Sequence, residues 1–323
     1  MSFELTILGC GSATPTSKQF PTAQLLKMQE RFFLVDCGEG TQQQLRRSKA
    51  KFSRINHIFI SHLHGDHFFG LPGLLSSFHL LNRSAPLHVY GPPSLEDWLG
   101  LTFSSTHTNL VYPLIFHPTQ NKEKALLFED EKTEVYSFPL RHSIATTGFL
   151  FQEKPKERNI LKSKIDEYKI EICDIQNIKN GKDWTCPNGH IIANKELTKD
   201  PAPPLSYAFC SDTAYLPKIS EHFQNVTLLY HESTFLDVDK KKAKQTKHST
   251  AMQAGKIAQL TEAKNIVLGH YSVRYDDRNA FRTEAQQEFE HVLLAQDLRR
   301  FTVDSDQIDF QDLRFLKSET DSI

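Results

Sequence analysis

Ser61-His62-Leu63-His64-Gly65-Asp66-His67-Phe68-Phe69-Gly70 places three imidazoles and a carboxylate within six residues, directly after the apolar run Ile58-Phe59-Ile60. A short apolar run bounded by polar residues reads as a buried strand. His62 and His64 are two apart, so on an extended strand end they point the same way. Gly65 lets the chain turn, and Asp66 and His67 then return to the same spot from the loop. One divalent ion cannot comfortably take all four ligands and keep a position open for chemistry. The spacing therefore suggests two adjacent ions, one for each pair of ligands. Imidazole and carboxylate without thiolate favour zinc, with manganese or iron as alternatives.

Further along the chain, other apolar runs also stop at a histidine or an acidic residue. Val135–Leu140 leads to His142, and Tyr207–Cys210 leads to Asp212. Leu228–Tyr230 leads to His231-Glu232, and Ile266–Gly269 to His270. A single histidine in such a place is ordinarily a satisfied core residue. Their repetition at successive strand ends, joined to the cluster at 62–67, argues for one site at the edge of a sheet. Arg31–Val35 followed by Asp36-Cys37-Gly38-Glu39-Gly40 is strand then glycine turn, and Thr41 to Arg47 begins a helix. Ser249 through Leu260 reads as a helix capped by Ser249 or Thr250, and a last helix is expected over Phe281 to Asp297.

Composition sets the class. At 323 residues, 39% apolar and 24% charged, the chain reads as a globular protein able to bury a large core. A net charge of −1 excludes a uniformly basic nucleic-acid binder while leaving room for a local basic patch. No apolar stretch approaches the roughly 20 residues of a membrane span. The alternating opening Met1–Ile7 lacks the pattern of a signal peptide, and five scattered cysteines fit reduced thiols. The expectation is a soluble cytoplasmic protein. One interval, 152–200, stands apart: it is rich in Lys, Glu, Asn and Ile and reads as a projecting arm inserted into the domain spanning 1–323. Lys154, Lys156, Arg158, Lys162, Lys164, Lys169, Lys179 and Lys182 make it locally basic.

The cluster His-x-His-x-Asp-His, with later His142, Asp212 and His270, resembles the metallo-β-lactamase superfamily and, within it, the ribonuclease Z family. Leu8–Thr16, Asp36–Gln42, Ser61–Leu75, Ser211-Asp212-Thr213, His231–Thr234, His248-Ser249-Thr250 and Gly269–Tyr275 follow the order of that family's motifs. The resemblance implies an α/β fold, a four-layered αβ/βα sandwich. It also implies two zinc ions per chain, one held by His62, His64 and His142 and the other by Asp66, His67 and His270, with Asp212 bridging. The implied substrate is precursor tRNA, cut to leave a 3′-hydroxyl on the tRNA and a 5′-phosphate on the trailer. The implied assembly is a homodimer in which the arm grips the tRNA elbow across from the partner's active site. Family arms carry a glycine-proline motif near the tip, where this chain reads Lys169–Ile175. Pro155–Asn159 looks like a basic loop found in part of the family.

Two adjacent divalent ions can clamp a phosphodiester and lower the pKa of a water. The resemblance gives Asp66 the task of orienting or deprotonating that water. The leaving 3′ oxygen needs a proton, and His248, positioned by Glu232, is the candidate donor. The run Lys240–Lys247 leads into His248 and is a candidate for holding RNA phosphates. Hydrolysis of small phosphodiesters by the same centre is the competing reading, and the arm argues against it.

Overall fold

Along the buried strands, alternate side chains enter two different apolar layers. Phe33, Val35 and Phe59 join one core cluster, whereas Leu34, Ile58 and Ile60 join the other. Strands covered on both faces read as unbroken apolar runs, which is why Phe33-Leu34-Val35 and Ile58-Phe59-Ile60 show no polar alternation. The computed structural model describes residues 2–315. They form two compact units, a body made of Ser2–Glu153 with the chain from Leu205 onward, and an inserted arm, Lys154–Pro204.

The body holds two large sheets. The first has eight strands in the order Ile308–Asp312, Arg299–Val303, Phe3–Gly9, Ala23–Met28, Arg31–Val35, Ile55–Phe59, Leu87–Gly91 and Leu114–Pro118. The second has seven, in the order Val292–Leu294, Ile266–Gly269, Leu228–Glu232, Ser206–Cys210, Ala145–Glu153, Thr133–Arg141 and Ala125–Glu129. Aromatic rings knit the two sheets face to face: Phe151 lies 5.3 Å from both Phe33 and Phe59, and Phe33 meets Phe128 at 5.7 Å. Helices Thr41–Arg47, Leu71–Leu80 and Ser94–Ser105 cover the outer face of the first sheet through Leu45, Leu74, Leu75, Phe78, Leu95 and Leu99. Helices Ala251–Leu260 and Asn279–Ala285 cover the second through Ala254, Ile257, Ala258 and Phe281. The result is the αβ/βα layering. Among the described residues, no helix is long and apolar enough to cross a membrane.

Two expectations need correction. The helix foreseen from Phe281 to Asp297 stops at Ala285, and Val292–Leu294 is instead a strand pairing in parallel with Ile266–Leu268. A three-residue apolar run fits either period, and burial of Val292 and Leu294 with Leu293 turned away is the strand alternation. The arm begins at Lys154 rather than 152, because Gln152 and Glu153 still pair with Glu134 and Thr133. The arm has a core of its own, in which Ile170, Ile178, Trp184, Ile192 and Leu197 are buried together. Thr250 alone caps the helix that follows it, in a reciprocal box with Gln253.

Candidate metal centre

Parallel strands deliver their carboxyl ends to a common edge, and ligand sites in α/β folds lie there. Here Asp36 follows Arg31–Val35, His62 follows Ile55–Phe59, Asp212 follows Ser206–Cys210, and His270 follows Ile266–Gly269. Three of these residues leave the strand through a left-handed backbone, with φ of 57° at Asp36, 44° at Asp212 and 56° at His270. Non-glycine residues held there carry strain that surrounding contacts must offset, a pattern that concentrates at functional sites. His62 and His64 sit beyond the strand end, and Asp66 and His67 lie on a single helical turn, Gly65–Phe68, rather than in a loop. Gly65 opens that turn with an ordinary backbone; a Cβ there would come within 2.3 Å of the ring of exposed Phe69, which would have to shift. Gly38 is pinned, its missing Cβ lying 2.4 Å from the Asp66 carbonyl oxygen.

Two clusters of lone pairs result. His62 Nε2 lies 3.1 Å from His64 Nδ1, and His142 Nε2 lies 3.2 Å from the same atom. Asp212 Oδ2 closes that group at 3.5 Å from His62 and 3.6 Å from His142. In the second group, Asp212 Oδ1 lies 3.2 Å from His67 Nε2 and 3.1 Å from His270 Nε2. Asp66 Oδ2 is 3.5 Å from each of those two nitrogens. The two oxygens of Asp212 thus serve one group each.

The rings are locked from behind. His67 Nδ1–H donates to Asp36 Oδ2 at 2.6 Å, and the Asp36 carboxylate also accepts from the Ser61 amide and hydroxyl at 2.8 and 2.9 Å. His142 Nδ1 donates to the Lys247 carbonyl at 3.0 Å, and His270 Nδ1 donates to Thr234 Oγ1 at 3.0 Å. Such partners fix the tautomer and aim the opposite nitrogen into the site. The Nε2 atoms of His67 and His270 are buried with no hydrogen-bond partner. A tetrahedral ion with bonds near 2.0–2.1 Å separates its ligands by about 3.3 Å, so the observed separations, the orphaned nitrogens and the all-imidazole-and-carboxylate donor set fit divalent metal in both groups. Charge agrees. Burial would lower the affinity of His67 for a proton, but the carboxylates of Asp212, Asp66 and Asp36 raise its pKa well above the ordinary histidine value. Burial and the neighbouring His67 pull His62 down to about 4, so it stays neutral and available as a donor.

Glu232 and His248 adjoin this centre. Glu232 is fully buried; its Oε1 accepts from Thr213 N at 2.9 Å and His248 Nδ1 at 2.8 Å, and its Oε2 accepts from Thr234 Oγ1 at 2.6 Å. Burial opposes charge on His248, but the Glu232 carboxylate outweighs it and pushes the imidazole up to about 9. With Nδ1 committed to Glu232, His248 has Nε2 left for a substrate. His248 also lies close enough to Asp212 and His270 to complete a further candidate ligand group. A cleft of about 520 Å³ opens on the centre, lined by Ser12, Ala13, Ser143, Phe235, Lys247 and His248 among others.

Sequence reasoning missed Asp36, Thr234 and Lys247 as supports of the ligands. Asp36 carried a usable signal, an acidic residue at the end of an apolar strand before a glycine turn, as at Asp212. Lys247 was foreseen only as part of a basic run; its ammonium donates to the His142 carbonyl at 3.2 Å. In the arm, Arg158, Lys164 and Lys179 are ion-paired with Asp200, Glu167 and Glu157.

A family model described as anti-Pycsar protein Apyc1 matches residues 3–153, less than half of the chain. The fold resembles the metallo-β-lactamase fold protein YhfI of Bacillus subtilis, with a TM-score of 0.66 at 16% identity, covering 94% of this chain and 100% of that one. This layering, with a histidine–aspartate centre at its strand ends, is that of a metallo-β-lactamase-fold hydrolase. The short form of human tRNase Z aligns with a TM-score of 0.66 at 30% identity over 92% of this chain and 98% of that one. Ribonuclease Z of Bacteroides thetaiotaomicron is 46% identical over 303 residues, 94% of this chain and 96% of the relative. The chain belongs to the ribonuclease Z family.

Proposed function

We infer that this protein is a metal-dependent endoribonuclease that removes the 3′ trailer from precursor tRNA, leaving a 3′-hydroxyl on the tRNA and a 5′-phosphate on the trailer. The observation that carries the chemistry is the pair of ligand groups sharing Asp212, set beside the Glu232–His248 pair. The substrate follows from family membership.

In this reading His62, His64 and His142 hold one zinc ion, Asp66, His67 and His270 hold a second, and Asp212 serves both. When bound, the ions supply Lewis acidity and a nucleophilic water at neutral pH. Asp66 both binds and orients: its Oδ2 accepts from the Ala13 amide at 2.7 Å, which fixes the carboxylate and leaves its other oxygen to direct the attacking water. His248, kept protonated by Glu232, delivers a proton from Nε2 to the departing 3′ oxygen. The cleft walls and Lys247 orient the phosphodiester.

The Lys154–Pro204 unit is assigned as the RNA-gripping arm. Its small core makes it a built element, and among the described residues Lys162 and Lys169 make no ion pair. A homodimer belongs to the same reading and is supported by exposed Leu80, Leu81, Leu101 and Val111 on and beside the outer helices. A cytoplasmic location is supported by five free cysteines.

The test is cleavage of a 3′-extended precursor tRNA by metal-loaded protein beside hydrolysis of a small phosphodiester. A single cut at the 3′ end of the tRNA body upholds the assignment. Hydrolysis of the small diester with the RNA intact replaces it with the competing reading.

A further inference from the structure

Away from the metal centre, the body encloses a cavity of about 340 Å³ lined by Cys10, Lys18, Gln19, Asp297 and four arginines, Arg278, Arg282, Arg299 and Arg314. Two of these cations have a counter-charge or a hydrogen-bond partner. Arg314 is paired with Asp312, and Arg299 donates to the Leu294 carbonyl at 3.1 Å and to the Gln296 side chain. Arg278 and Arg282 make no hydrogen bond or ion pair among the described residues, and the Asp297 carboxylate acts on Arg278 through charge alone. Arg278 rests its plane over Tyr271, with Cζ 4.0 Å from the ring centroid, an arrangement that orients the cation without neutralising it. Arg278 Nη1, Arg282 Nε and Arg299 Nε are each shielded from water with no partner, which is costly for a charged donor.

The one carboxylate in the lining is already committed. Asp297 accepts from the Cys10 amide at 3.1 Å, the Cys10 thiol at 3.2 Å and the Phe20 amide at 2.8 Å, tying the loop after Phe3–Gly9 to the end of the second sheet. Among the described residues, five cations therefore line a cavity whose one carboxylate is already bound to the loop. Cationic forks gathered without carboxylates are the form that binds tetrahedral oxyanions, because guanidinium donors match phosphate oxygens two at a time. Gln19 adds a buried Oε1 with no donor, which can accept from the proton of a monohydrogen phosphate. We propose that this cavity is a second, non-catalytic anion site, taking a phosphoryl group between Arg278 and Arg282.

The site is joined to the metal centre through the backbone. Tyr271, under Arg278, directly follows His270; its amide donates to the Cys10 carbonyl at 3.0 Å, and its carbonyl accepts from Ser12 at 3.1 Å. The next residue in that loop, Ala13, donates to Asp66. An anion held here braces the loop that holds a ligand of the centre. The phosphoryl group has two possible sources, a backbone phosphate of the bound RNA or a free phosphate ion, and one experiment separates them.

Metal-loaded full-length protein is titrated with inorganic phosphate by calorimetry, comparing wild type with Arg278→Gln/Arg282→Gln and with Arg278→Lys/Arg282→Lys. Phosphate bound at the metal centre is common to all three and cancels. The glutamine variant is expected to lose one phosphate site or bind it roughly tenfold or more weakly, with zinc content unchanged, and the lysine variant to retain it. Arg282→Gln alone carries the comparison should the double variant fail to fold. If RNA supplies the phosphate, KM for precursor tRNA rises in the glutamine variant at constant kcat. If the free ion is the occupant, KM holds and phosphate raises the unfolding midpoint of the wild type only. Equal phosphate stoichiometry and affinity in wild type and glutamine variant overturn the site.

Discussion

Asp36 Oδ2 lies 2.6 Å from His67 Nδ1, both side chains entirely buried, so a carboxylate sealed beneath the candidate metal centre sets the direction of the His67 Nε2 that faces it. It is also the residue that fastens Ser61, and through it the start of the histidine cluster. Asp36→Asn keeps the shape and removes the charge. Zinc affinity, read by competition with a chelating dye, is expected to fall roughly 10–100-fold. An unchanged affinity would show that His67 needs no support from behind.

The Glu232–His248 pair predicts a pH profile. A proton donor works only while protonated, so cleavage should decline as pH rises through about 9, the value to which Glu232 raises His248. Glu232→Gln removes that attraction, so the alkaline limb should move to lower pH while zinc content stays constant. The rate at neutral pH should fall by roughly 10²–10⁴. A limb that stays in place in the variant removes His248 as the acid.

Lys247 adopts a left-handed backbone, φ 55°, while its carbonyl holds His142. Glycine suits that conformation and retains the carbonyl, whereas alanine does not suit it. Lys247→Gly should therefore unfold at a higher denaturant midpoint than Lys247→Ala, by about 1 kcal/mol, with both retaining metal. The reverse order would mean that the conformation is not what the position demands.

Phe151 bridges the sheets, touching Phe33 and Phe59 on one side and Tyr207 on its own. Truncation to alanine leaves a cavity that neither sheet can close. Urea denaturation should show a loss of about 3–5 kcal/mol; a loss under 1 kcal/mol would place the main core elsewhere.

The parts of the site that were legible share one property: local sequence determines them. His62 to His67, Asp212 and His270 stand at the ends of apolar runs, so a strand period and a polar stop suffice to find them. Thr250 announces its helix by the same local logic. Thr234 and Lys247 could not be found that way, because their worth lies in which ring they face across the fold, and nothing beside them in the chain records it. Val292–Leu294 misled for a different reason: three apolar residues fit a helix face and an edge strand equally, and only pairing with Ile266–Leu268 decides. The arginine cavity is assembled from the loop after Phe3–Gly9, the helix Asn279–Ala285 and the final strands, far apart in sequence.

In the proposed centre, the two oxygens of Asp212 join two adjacent metal sites. Anomalous diffraction at the zinc edge, on crystals of the zinc-loaded protein, tests it directly. Two peaks are expected, one among His62, His64 and His142 and one among Asp66, His67 and His270, each beside an Asp212 oxygen. A single peak, or two that leave Asp212 uncoordinated, would contradict it.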